Sequence, residues 1–255
     1  IKASNTDTLD QFGEFISLSG DGNTLAVGSQ LEDSNATGIN GDQTDNSSST
    51  SGAVYIFTRS GTTWSQQSYI KASNTDAGDQ FGSAVSLSDD GNTLAVTAKH
   101  EDSIATGING DQTDNSFNSS GAAYVFTRSG TTWSQQSYLK RNTNISNFTQ
   151  QFGNAIYLSG DGNTIAVGEN INYVNAVGIN GNQDTNVFNR RYSGAIYVFT
   201  RSGTAWSFES FVKSANNQVS GAFGRDQGVA LSDDGNTLVG GALGEQNGQG
   251  ATYIY

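Results

Sequence analysis

Apolar residues alternate with small or polar ones along Phe12-Gly13-Glu14-Phe15-Ile16-Ser17-Leu18-Ser19. The run then meets Gly20-Asp21-Gly22-Asn23, and Thr24-Leu25-Ala26-Val27-Gly28 follows as an apolar stretch. A period of two predicts a half-buried strand. Asp-Gly supplies the positive φ of a tight hairpin, so two antiparallel strands are expected here. After a long polar loop come Gly52-Ala53-Val54-Tyr55-Ile56-Phe57-Thr58, a tight Arg59-Ser60-Gly61-Thr62 turn and Trp64-Ser65-Gln66-Gln67-Ser68-Tyr69-Ile70. That is a second hairpin, which gives the unit four short strands. No sustained helical apolar period with a cap occurs, and no helix is predicted.

The unit then repeats. Ile1-Lys2-Ala3-Ser4-Asn5-Thr6-Asp7 returns at Ile70-Lys71-Ala72-Ser73-Asn74-Thr75-Asp76, weakens to Leu139-Lys140-Arg141-Asn142 and survives as Val212-Lys213-Ser214-Ala215. Four tandem units result, 1–69, 70–138, 139–211 and 212–255. One four-stranded sheet cannot bury both of its faces, so neighbours must stack and the array must close or be capped. The pattern predicts a single all-β domain over 1–255, a β-propeller of four-stranded antiparallel blades, four-bladed if the ring closes within the chain. The last unit stops at its third strand, Gly250-Ala251-Thr252-Tyr253-Ile254-Tyr255. Residues 1–4 match the end of a fourth strand and are expected to complete that blade. The alternative is a strand given by a neighbouring chain, which leads to head-to-tail self-assembly through the open edge.

Phe12-Gly13, Phe81-Gly82, Phe152-Gly153 and Phe223-Gly224 each precede an LS(G/D)DGNT run and later GAVYIF, GAAYVF, GAIYVF or GATYIY. In this the chain resembles the FG-GAP repeat family over essentially its whole length. The resemblance implies propeller blades in extracellular or cell-surface proteins that serve adhesion and ligand binding, with a calcium loop in the integrin-type members. The Asp-x-Asp-x-Asp-Gly run of that loop is absent here. The short turns at Asp21, Asp89-Asp90, Asp161 and Asp233-Asp234 supply at most two carboxylates apiece, whereas calcium takes about six to eight oxygens. They are read as structural hairpins.

Composition narrows the function. The formal charge is −12, with 12 Lys and Arg against 24 Asp and Glu. No basic stripe exists to replace phosphate counterions, so nucleic acid and anionic lipid are excluded as partners, while divalent cations are attracted. Without Cys there is neither disulfide nor thiolate chemistry. No apolar run approaches a membrane span, and no membrane insertion is expected. The chain opens on Ile1 with neither Met nor a charged-then-apolar leader, as expected of a processed chain or a piece of a longer one.

The most specific polar signal is the loop Gly38-Ile39-Asn40-Gly41-Asp42-Gln43-Thr44-Asp45-Asn46-Ser47, repeated unchanged from Gly107 to Ser116 and drifting at 178–187. Oxygen-bearing side chains alternate at positions 40, 42, 44 and 46. Asn40, Asp42, Thr44 and Asp45, with Asn109, Asp111, Thr113 and Asp114, are therefore candidate calcium ligands. The other reading is that Asn and Asp bind their own backbone to order a long loop. Propeller connectivity brings this loop to the same face as the segments carrying Asp7, Asp10, Asp76 and Asp79. Phe117, Phe188 and Tyr192 could stack there on a sugar ring.

Catalysis is not expected. The lone His100 stands in the slot of Leu31 and Ile171, as a repeat-variable strand-end residue does. The Glu32–Asp33 and Glu101–Asp102 pairs are duplicated, whereas a glycosidase needs one asymmetric pair. Trp64, Trp133 and Trp206 read as outer-strand packing residues rather than sugar platforms. Sequons such as Asn35-Ala36-Thr37 arise by chance in a chain so rich in Asn, Ser and Thr. The expectation is an extracellular or cell-surface, non-catalytic module for adhesion or surface assembly through the acidic loop face, calcium-dependent, with a protein or glycan ligand. A lectin with inter-blade glycan pockets is the alternative, and a glycoside-active enzyme the third.

Overall fold

The computed structural model of the chain describes residues 1–143, 150–183, 192–216, 221–226 and 228–255. The first sheet contains β1 (Phe15–Leu18), β2 (Thr24–Ser29), β3 (Ala53–Ser60) and β4 (Thr63–Ile70). The second repeats it with β5 (Phe81–Leu87), β6 (Thr93–Ala98), β7 (Ala122–Ser129) and β8 (Thr132–Leu139). The third has β9 (Phe152–Leu158), β10 (Thr164–Glu169), the short β11 (Gly178–Ile179), β12 (Ala195–Ser202) and β13 (Ala205–Lys213). The fourth has only β14 (Val229–Leu231), β15 (Leu238–Ala242) and β16 (Ala251–Ile254). Every strand pair is antiparallel, and the first two sheets are meanders in chain order. The fold is thus all-β in four consecutive sheets, as the two-residue alternation and the Asp-Gly hairpins predict.

Alternation decides which face each residue enters. Each sheet has one face of large residues and one of small or β-branched residues, and a large face always meets the small face of the preceding sheet. Phe81, Leu87, Leu94, Tyr124 and Phe126 of the second sheet pack on Ala26, Val54 and Ile56 of the first. Phe152, Leu158, Ile165, Tyr197 and Phe199 pack likewise on Ala84, Ala95, Ala123 and Val125. Phe223, Val229, Leu231 and Leu238 pack on Ala155, Ala166, Ile196 and Val198. Full burial of one such aromatic contributes about 1.5–3 kcal/mol. Close approach also needs Gly121, because a Cβ there would lie 1.9 Å from the Phe152 carbonyl oxygen.

Arg128 and Arg201 fasten these interfaces. Each guanidinium lies over its own Trp, Trp133 or Trp206, at 5.3 Å, and reaches the preceding sheet. Arg128 donates to Gln67 Oε1 and Thr24 Oγ1 at 3.2 and 3.1 Å, and Arg201 to Gln136 Oε1 and Thr93 Oγ1 at 3.2 and 3.3 Å. The indoles of Trp133 and Trp206 donate to the same two glutamines.

The repeated Gly-Ile-Asn of the polar loop lies against the outer edge of its sheet. Asn40 N donates to Tyr69 O at 2.7 Å, and Tyr69 N returns a bond to Asn40 Oδ1 at 3.0 Å. Asn109 does the same with Tyr138, and Asn180 with Phe211. All three asparagines hold a positive φ of 51–56°, which asparagine tolerates better than most residues. The loop thereby occupies an edge that would otherwise be open to another strand.

The expected completion of the fourth sheet by residues 1–4 is not what forms. These residues make no strand, Ala3 packs into the aromatic cluster of the first sheet, and β16 is an edge whose strand partner is β15. The sheets stack in chain order, first on second, second on third and third on fourth. On the large face of the first sheet Val27, Tyr55 and Phe57 are buried while Ile16 and Leu18 are 65% and 56% exposed, and on the small face of the fourth Ile254 is 72% exposed.

Candidate functional site

The innermost strands β1, β5, β9 and β14 together line a cavity of about 540 Å³, whose floor includes Phe15, Val85, Ile156 and Val229. At one end is a polar mouth formed by Glu14, Ser83, Lys99, Asn154 and Asp226. Three of these residues, Glu14, Ser83 and Asn154, directly follow a Phe-Gly pair. The local reason is a bulge. Gln80 and Gly82 hold φ of 57° and 89° on either side of Phe81, and the β5–β6 register shifts between Phe81 and Ala84. A bulge re-aims the next side chain, here to the mouth of the cavity. Gly82 is required there, since a Cβ would meet the Ala53 carbonyl oxygen at 2.5 Å.

The polar groups are linked. Lys99 Nζ donates to Gln30 Oε1 at 3.0 Å, and Gln30 Nε2 donates to Glu14 Oε2 at 2.5 Å and to Gln11 Oε1 at 3.0 Å. Asp226 N donates to Asn154 Oδ1 at 2.8 Å, while the Asp226 carboxylate pairs with the exposed Arg225 at 3.1 Å. Burial holds the Lys99 ammonium below the usual lysine range, and the Glu14 and Asp226 carboxylates oppose that shift. The Ser83 hydroxyl is engaged with Thr97 rather than with a base.

The loop residues singled out from the sequence are placed differently. Asp42 Oδ1 accepts from Thr44 N and Oγ1 at 2.8 and 2.7 Å, and Asp111 accepts the same pair from Thr113. Asp45 Oδ1 accepts from Asn35 N, Ser47 N and Ser47 Oγ, and Asp114 from Ser116 N. These local bonds hold the carboxyls of Asp42, Asp45 and Asp111 below the usual range. Asn40 and Asn109 spend their side-chain oxygens on the outer strand. An ion there would have to displace backbone donors, and among the described residues no three acidic or histidine side chains converge.

The two acidic segments do meet, as expected. Asn46 donates to Asp7, and Asn115 to Asp76, at 2.6 Å in both cases. Asp10 and Asp79 are buried beneath them and accept from the amides of Asp7 and Asp76. Burial, and then the nearby Glu101, pushes the Asp79 carboxyl up to about 8. Phe117 is half-buried, Tyr192 rests against Tyr173 with ring centroids 5.5 Å apart, and Phe188 lies outside the described residues. His100 bonds Ser119 at 3.0 Å, and burial lowers its pKa.

Glu32 and Glu101 face no groove. Glu32 is buried on Lys71 at 2.9 Å and Glu101 on Lys140 at 2.7 Å. Each also accepts from a tyrosine hydroxyl at 2.7 Å and from Asn5 or Asn74. Asp33 and Asp102 bind backbone amides. These carboxylates are structural and unavailable for glycoside chemistry.

Four consecutive antiparallel sheets with a polar mouth at their innermost strands define an all-β protein of stacked sheet repeats. The family model of the FG-GAP repeat matches residues 64–126, so this stretch is an FG-GAP repeat. No curated protein matches the chain. Among the solved structures that do is the periplasmic gluconolactonase PpgL of Pseudomonas aeruginosa, with 14% identity and a TM-score of 0.41, covering 100% of this chain and 74% of that one.

The reading as a non-catalytic adhesion or assembly module on the acidic loop face, with its lectin and glycosidase alternatives, is corrected here. The carboxylates on which it rested bind their own loops or buried lysines. Sequence reasoning missed the cavity mouth. The signal was the variable polar residue after each of the first three Phe-Gly pairs.

Proposed function

We propose that the four sheets are consecutive blades of a β-propeller, and that the cavity along their innermost strands binds a small zwitterionic ligand with an apolar body, such as a free amino acid. The observation that carries the reading is the convergence of one polar side chain from each sheet, Glu14, Ser83, Asn154 and Asp226, with Lys99 above an apolar floor. Ligand sites are typically apolar clefts with a few convergent polar groups, and this one has that composition. Glu14 and Asp226 suit a ligand ammonium; Lys99 and the Asn154 amide suit its carboxylate. The FG-GAP repeat supports a secreted or surface setting. No helix among the described residues is long and apolar enough to cross a membrane.

Isothermal titration calorimetry with free amino acids of increasing side-chain size tests this reading. Binding should strengthen with apolar side-chain area and fall at least about tenfold in Glu14→Gln and in Lys99→Met. Equal binding of amino acids and of their N-acetyl amides would overturn it, as would no heat for any of them.

A further inference from the structure

We propose that the third sheet is a site of self-modification, in which Lys213 Nζ and the side-chain carbonyl carbon of Asn172 join in an isopeptide bond with loss of one ammonia. The inference is independent of the cavity and its ligand.

The site stands where the first two sheets have simple ion pairs. Asn172 occupies the repeat position of Glu32 and Glu101, and Lys213 that of Lys71 and Lys140. A carboxylate facing an ammonium forms a salt bridge and is inert to it, as in Lys71–Glu32 and Lys140–Glu101. A carboxamide has a leaving group that a free amine can replace. Only the third sheet makes this exchange of acid for amide, and it places a new carboxylate beside the amide: Glu169 stands where Ser29 and Ala98 stand in the earlier sheets.

The geometry supplies each part that such a reaction needs. Lys213, Asn172 and Glu169 are fully buried, so water that would compete for the amide is kept out. Lys213 Nζ lies 3.2 Å from Asn172 Oδ1, held beside the carboxamide by bonds to Ser193 Oγ and Gly194 O at 2.5 and 2.6 Å. Two groups fixed in this way react as though at very high concentration. Burial lowers the Lys213 pKa to about 7, which leaves much of the amine neutral and nucleophilic at physiological pH. Val174 N donates to Asn172 Oδ1 at 3.0 Å, as an oxyanion donor must. On the leaving side, Asn172 Nδ2 donates to Glu169 Oε2 at 2.6 Å and to the Tyr197 hydroxyl at 3.3 Å. Glu169 is oriented by Arg141 at 2.8 Å and by the Tyr197 hydroxyl at 2.8 Å.

The steps follow. The Nζ lone pair forms a bond to the Asn172 carbonyl carbon, and the carbonyl π electrons move onto Oδ1 beside the Val174 amide. The Glu169 carboxylate takes the proton that Nζ loses and passes it to Nδ2. The carbonyl re-forms, the bond to Nδ2 breaks with its electron pair on nitrogen, and ammonia departs. One carbon–nitrogen bond replaces another, Glu169 ends as it began, and no oxidant or other co-reactant enters. The titration of Lys213 belongs to the chain before the bond forms. The product ties the loop after β10 to the end of β13 and restricts the unfolded chain as a disulfide does, in a sequence that has no cysteine.

Intact-mass spectrometry of the denatured chain, after folded incubation at mildly alkaline pH, tests the proposal. The wild type should fall below its sequence mass by one ammonia, and digestion should yield a branched peptide joining residues 172 and 213. Lys213→Met and Asn172→Ala, with folding checked by circular dichroism, should keep their full sequence masses. Glu169→Gln should link at least about a hundredfold more slowly, as loss of a general base does. A wild type that stays at full sequence mass on long incubation overturns the proposal. So does an ammonia loss that persists in Lys213→Met, because a succinimide at Asn40-Gly41, Asn109-Gly110 or Asn180-Gly181 gives the same change of mass without a lysine. Linkage in Glu169→Gln as fast as in the wild type overturns the part given to Glu169.

Discussion

Lys213 Nζ donates to Asn172 Oδ1 at 3.2 Å, at the place where the first two sheets set Lys71 on Glu32 and Lys140 on Glu101. The third sheet has moved its carboxylate to Glu169, which pairs with Arg141 at 2.8 Å, and Asn172 bridges the two charges by donating to Glu169 at 2.6 Å. Lys213 is therefore buried among neutral oxygens, those of Asn172, Ser193 and Gly194. Burial lowers its pKa to about 7, and Glu169 offsets only part of the shift.

A pH dependence follows from that lysine. Its folded pKa lies below its unfolded value, so between about pH 7 and the usual lysine range the unfolded chain holds the extra proton. Stability should rise with pH across this window, by up to about 1.4 kcal/mol per pH unit. Lys213→Met should flatten the rise without lowering stability at neutral pH, read by urea unfolding at a series of pH values. A slope that survives the substitution would assign it elsewhere.

Asp79 should act in the opposite direction. Its carboxyl is raised to about 8 by burial and then by Glu101, so the folded chain keeps a proton that the unfolded chain has lost. The stabilisation is complete below about pH 4 and is lost as pH rises through 8. Asp79→Asn should remove this decline, and the difference between variant and wild type should grow from pH 4 to pH 8. The same unfolding series measures it.

Two glycines with similar backbone angles should respond unequally to alanine. Gly130, with φ 62°, has open space where a Cβ would stand, so Gly130→Ala should cost about 1–2 kcal/mol for the left-handed conformation alone. Gly121, with φ 80°, would press a Cβ onto the Phe152 backbone at 1.9 Å, and Gly121→Ala must also part the second and third sheets. Its cost should exceed that of Gly130→Ala by at least about 2 kcal/mol. Equal midpoints in urea would show that the two sheets do not pack so closely.

Asp42 distinguishes loop architecture from ion binding. Because Asp42 Oδ1 holds Thr44 N and Oγ1, Asp42→Ala should lower the melting temperature by the same amount with and without millimolar calcium. A ligand that binds only the folded state would instead raise the wild-type temperature by mass action and leave the variant behind. Differential scanning calorimetry separates the two outcomes.

What the sequence by itself determined was local and repeated. Alternation along Phe12–Ser19 and the Asp-Gly turns specify strands and hairpins, because both depend on a few neighbouring residues. Four copies of that information specify four sheets. It also held both readings of the acidic loop; what tertiary structure added is that Asn40 meets Tyr69 and Asn109 meets Tyr138 across long stretches of chain. The roles of Glu14, Lys99 and Asp226 belonged to the tertiary structure alone. A bulge had to re-aim Ser83, and Glu14, Lys99 and Asp226 had to be brought together from different sheets, before a shared cavity mouth could form. Closure likewise depended on how the sheets stack. The match between residues 1–4 and the end of an outer strand was real, but stacking left that segment on the first sheet, away from the edge of β16, because register in sequence says which surfaces are alike and only packing decides which of them meet.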